Sequence, residues 1–119
     1  MLKTALLILT MAGGDATRVT LTETESLTDC EATLDVLAQI LTEAGTPPIA
    51  ALCGETALQL TPFVHGTPAE AEIHRYRVEL PSAGGYQIVP LAKGETCTPT
   101  AADPVIYCAR SGQSVLTDG

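Results

Sequence analysis

TDCEATLDVLAQILTEAGTPPIAALCGE, residues 28–55, holds one helix, one tight reversal and one strand, with a cysteine in each element. Cys30, Leu34, Leu37, Leu41 and Ala44 recur at helical spacing along one stripe. Glu31, Asp35, Gln39 and Glu43 fall mostly on the other side. Ser26 or Thr28 can cap the start, and Thr28 with Glu31 has the spacing of a capping box. Gly45 is a natural stop and Pro47–Pro48 forbid continuation, so the spacing predicts a helix over about 28–44. Beyond the prolines, Ile49, Ala51 and Cys53 alternate as on a strand, Gly54 permits a bulge or turn, and residues 57–60 resume extended chain.

Working outward, RVTLTE (18–23) places Val19 and Leu21 on one face of a half-buried strand. IHRYRVEL (73–80) alternates Tyr76, Val78 and Leu80 with Arg75, Arg77 and Glu79. The turn PSAGG and the return strand YQIVPL (86–91) complete a hairpin, and VIYCA (105–109) is a last short strand. Nothing repeats at a fixed period. The expected fold is α+β: one amphipathic helix on an antiparallel or mixed β-sheet, in a single domain over 17–119.

The first sixteen residues, MLKTALLILTMAGGDA, have the anatomy of an export signal. Lys3 supplies the positive end, residues 4–12 the apolar middle, and Gly14 and Ala16 the small residues before a cut after Ala16. The apolar run is shorter than the ~20 residues a membrane span needs. A second reading makes residues 3–10 a buried core strand of a cytoplasmic protein.

Four cysteines, an even number, extend the leader argument. A helix lying on a sheet can bring Cys30 and Cys53 together, and Cys97 and Cys108 bracket a short Pro-rich segment that a bond would clasp. The expectation is two disulfides, Cys30–Cys53 and Cys97–Cys108, in a periplasmic or secreted protein. The reduced alternative keeps the four as small apolar core residues. No two are close enough for a zinc knuckle.

The formal charge is −8 and the sequence pI about 4.4, with the six Lys and Arg scattered along the chain. That balance argues against nucleic acid and anionic lipid as partners. Aromatics are only 3% and Trp is absent, so the core has to be aliphatic. Asn is also absent, and the Ala-, Gly-, Thr- and Pro-rich composition fits a bacterial, GC-rich coding sequence.

No motif names a reaction. His65, Glu70, Glu72 and His74 form the one cluster resembling metal ligands, at a spacing that matches no known metal motif. The serines at 26, 82, 111 and 114 lack a nucleophile elbow and read as a cap, a turn and a polar tail. No cofactor is implied. Arg75, Tyr76 and Arg77 are a candidate recognition patch, and Thr100 and Ala101 the small residues a clasped loop would present. The sequence therefore predicts a small exported non-catalytic protein, a protein-binding module or accessory subunit of an envelope assembly. The alternatives are a secreted protease or lysozyme inhibitor using residues 98–107, and a metal-dependent enzyme or metal-binding protein around His65 and His74.

Overall fold

A computed structural model describes residues 2–11, 17–62 and 71–116. They form six strands and one helix: β1 (Lys3–Met11), β2 (Thr17–Glu23), α1 (Leu27–Glu43), β3 (Ala50–Thr56), β4 (His74–Leu80), β5 (Gln87–Leu91) and β6 (Val105–Ser111). The strands make one mixed sheet in the order β3-β1-β2-β6-β4-β5. All pairings are antiparallel except β2 with β6.

The helix obeys its periodicity. Cys30, Leu34, Leu37 and Leu41 pack on Leu6, Ile8, Ala51 and Cys53 across β1 and β3. Its start differs in one detail from the capping box at Thr28. Ser26 is the N-cap, its hydroxyl accepting from the Asp29 N–H at 3.1 Å, and Thr28 lies inside the first turn. The end is a Schellman closure: Gly45 has φ 83°, Gly45 N–H donates to Thr42 O and Thr46 N–H to Leu41 O.

On the opposite face lies a second, larger core. Ala5, Leu7 and Leu9 of β1 meet Val19 and Leu21, Tyr76 and Val78, Ile88, Ala109 and Tyr86, with Ala50 and Leu52 packed beside them. Residues from both edge strands and every strand between share this one cluster, so the sheet must curl around it. Tyr86, just before β5, closes the curl. An ideal Cβ on Gly54 of β3 would sit 2.8 Å from the Tyr86 ring, and the Tyr86 hydroxyl donates to Ala5 O at 2.9 Å. β1 is thus covered on both faces, with Leu6, Leu7 and Leu9 fully buried. A strand buried on both sides reads as an unbroken apolar run. This strand, residues 3–11, overlaps both the apolar middle of the leader reading (4–12) and the core strand of the second reading (3–10).

Both disulfides join the cysteines that the spacing paired: Cys30–Cys53 fixes α1 to β3, and Cys97–Cys108 closes an 11-residue separation onto β6. Among the described residues no cysteine is free. Two such bonds fit an oxidising, extracytoplasmic compartment. No described helix is long and apolar enough to cross a membrane. The strand expected over 57–60 shrinks to a single bridge, Leu60 with Val115.

Candidate functional site

The sheet is two three-stranded halves, β3-β1-β2 and β6-β4-β5, joined by a short seam. β2 and β6 pair only at Thr17 with Ala109 and Arg18 with Arg110. Three residues further along, the same register would set Leu21 opposite Gln113. β6 has ended there, and the Gln113 side chain takes the place of a strand. Its Oε1 accepts from Leu21 N–H at 2.9 Å, and its Nε2 donates to Leu21 O at 2.9 Å and to Thr61 O at 2.7 Å. The Gln113 carbonyl in turn accepts from the Tyr76 hydroxyl at 2.6 Å.

The same register builds a charged row. Arg18 pairs with Arg110, and Arg110 pairs with Arg75, so three arginines stand side by side across β2, β6 and β4. Their neighbours Val19, Ala109 and Tyr76 face the core, which turns the arginines outward. Arg77 follows on the same face, opposite Cys108. Four of the chain's six Lys and Arg therefore gather on one sheet face, although the sequence scatters them.

Glu72, only 4% exposed at its side chain, lies under this row. Arg18 donates to it through both Nε and Nη2, and Arg110 Nε is 4.0 Å away. The hydrogen bonds from Arg18 hold the Glu72 carboxyl below the usual carboxylate range, opposed by burial and assisted by the charges of Arg18 and Arg110. The same bonds raise Arg18 above its ordinary value. This triad bolts the seam. Glu72 is thereby occupied as a counter-ion, which removes it as a free metal ligand. His65 and Glu70 lie outside the described residues, and His74 begins β4. Among the described residues, no three His, Cys, Asp or Glu side chains come together as a metal site.

Of the recognition patch, Arg75 and Arg77 share the outer face, while Tyr76 is buried at 1% exposure. Burial pushes its hydroxyl up to about 12. It is a core residue and its ring is closed to a partner, because strand alternation turns it inward between the two arginines. Arg75 Nη1 donates to Glu95 O at 3.0 Å, tying the turn after β5 across this face.

The clasped segment is held at three levels. The Cys97–Cys108 bond closes its base, and Thr100 and Ile106 exchange two backbone hydrogen bonds at 2.9 and 3.1 Å. At the tip the Asp103 carboxylate accepts from Ser82 N–H and Ser82 Oγ, both at 2.9 Å. Those bonds keep Asp103 below its ordinary range. Ala101 and Ala102 are exposed between these anchors, and Thr100 is half-buried. Ser82 thus serves a turn, as read. Ser111, read as part of a polar tail, is buried at 3% and accepts from Gln113 N–H.

Gln113, Glu72 and Arg18 carry the architecture of this region; sequence reasoning passed over Gln113 and Arg18 and singled out Glu72 only as a candidate metal ligand. Neither periodicity nor spacing marks them, since their partners lie 92 and 54 residues away. Comparison of the chain with protein-family models, curated proteins and solved structures finds no match.

Proposed function

We propose that this chain is a non-catalytic binding domain of an oxidising, extracytoplasmic compartment that takes a protein partner at residues 98–107. The observation that carries the reading is the clasp: a disulfide, a backbone bridge and the Asp103–Ser82 bonds hold the exposed Ala101–Ala102 tip. A loop ordered before contact loses little conformational entropy on binding, so small side chains can still yield useful affinity. The acidic surface favours a partner with a basic patch, through steering.

A photo-crosslinker at Ala101 tests this in extracts of the source envelope. One discrete adduct is expected, lost when Cys97 and Cys108 are replaced by Ala and not formed from the same probe at the exposed helix position Val36. Equal labelling from both positions would reject the loop as the docking element. The small residues at the tip also favour the inhibitor reading, since Thr100, Ala101 and Ala102 suit a narrow protease pocket. Micromolar inhibition of an elastase-like protease or of lysozyme, abolished by opening the Cys97–Cys108 bond, would assign it to that class.

A further inference from the structure

We propose that the cleft between the start of β4 and the end of β5 binds a small aliphatic carboxylate, its head at Arg75 and Lys93 and its body on Ile73, Leu91 and Val115. The cleft encloses about 700 Å³, within the range of small-molecule sites. In a chain with 14 Asp and Glu against six Lys and Arg, its described lining holds Arg75, Lys93 and His74 and no carboxylate. Glu95 and Glu72 are held by other partners. Glu95 Oε1 accepts from Ala92 N–H at 2.9 Å, and Glu72 is engaged by Arg18. The rest of the acidic surface is screened beyond about 8 Å at physiological salt, so the local cations decide which ions enter.

The apolar half of the match is equally specific. Ile73 is 71% exposed, the most of any large hydrophobic residue among those described, and Val115 is 37% exposed. Both line the cleft with Leu91 and Pro90. A second cleft of about 290 Å³ shares Ile73, Arg75 and Leu91 and reaches Arg110 and Glu72. The Glu72 carboxylate at that far end leaves Arg75 and Lys93 as the place for the single charged head, with the chain on Ile73 and Leu91. Simple anions gain nothing from the apolar wall, and neutral alcohols gain nothing from the cations; a fatty acid of medium length uses both. An open cleft with few hydrogen bonds gives modest affinity, with Kd on the order of 0.1–1 mM.

The test is an NMR titration of the full, oxidised chain with octanoate, with octan-1-ol and acetate as separate arms. Saturable amide shifts at Ile73, Arg75, Leu91, Lys93 and Val115 are expected with octanoate, with both controls at least about tenfold weaker. Lys93→Gln, on an exposed turn, is expected to weaken octanoate about threefold or more without altering the remaining spectrum; Arg75→Gln is expected to weaken it as much while also shifting the turn that Arg75 ties through Glu95 O. Three results would overturn the proposal: no saturation below about 10 mM, octanol binding as well as octanoate, or shifts centred on the exposed helix residues Val36 and Ile40. The loop reading is independent, because Ala101 and Ala102 do not line the cleft.

Discussion

At the scale of single residues, the seam triad and the Gly54–Tyr86 contact make the sharpest demands. Glu72→Gln leaves Arg18 and Arg110 facing a half-buried site without its counter-charge, and a loss of roughly 1–3 kcal/mol is expected in urea unfolding at neutral pH. The sign of the pH dependence follows from the depressed Glu72 carboxyl. Its contribution is complete above the ordinary carboxylate range and fades as pH falls through the lowered folded value. The gap between wild type and variant should therefore close in acid; a gap independent of pH would remove the triad from the account. Gly54→Ala puts a methyl group 2.8 Å from the Tyr86 ring, whose hydroxyl also holds Ala5 O. A cost of about 1–3 kcal/mol is expected. Alkaline difference spectra report the same contact, because burial pushes the Tyr86 hydroxyl up to about 12 and displacement returns it towards 10. An unchanged titration curve would mean that the ring has room to spare.

At the scale of elements, β1 joins the two cores. Its even-numbered Leu6 and Ile8 face the helix, its odd-numbered Ala5, Leu7 and Leu9 the curl, and its backbone pairs with both β2 and β3. Three fully buried leucines alone represent roughly 2 kcal/mol each. Removal of residues 1–16 is expected to abolish cooperative unfolding and near-ultraviolet dichroism, leaving α1 tied to an unpaired β3 by the Cys30–Cys53 bond. A truncated chain with a dispersed amide spectrum would show that the rest of the fold stands without β1. The same strand shows how far local pattern reaches. Alternation disclosed β2, β4 and the β4–β5 hairpin, because each buries one face. β1 was ambiguous between leader and core strand, because burial on both faces erases the alternation. The 57–60 strand was over-read, since its alternating leucines serve packing against the curl while only Leu60 gains a bridge partner.

At the scale of the whole molecule, the question is what keeps two half-sheets together across so brief a ladder. Gln113 supplies much of the answer, with its side-chain amide completing β2 where β6 has left. Gln113→Ala strips buried partners from Leu21 N–H, Leu21 O and Thr61 O, and about 2–4 kcal/mol of stability is expected to go with them. Hydrogen exchange should accelerate first at Leu21 and at the seam, ahead of the β1–β2 ladder. Uniform acceleration over the entire sheet would show that the halves do not separate along this line. Both proposed binding surfaces lie on the β6-β4-β5 half and its loops, while the helix and the first disulfide brace the other.

The sequence by itself determined the helix, most of the strands, the pairing of the cysteines and the aliphatic core, because each is written as local periodicity or short-range closure. The tertiary structure alone decided that four scattered basic residues share one face, that Tyr76 turns inward between two outward arginines, and that Gln113 replaces a strand. These depend on register across strands far apart in the chain and on the curl that brings Tyr86 to Gly54. A one-dimensional pattern records which residues are buried, and it carries no information about which distant residue each will meet.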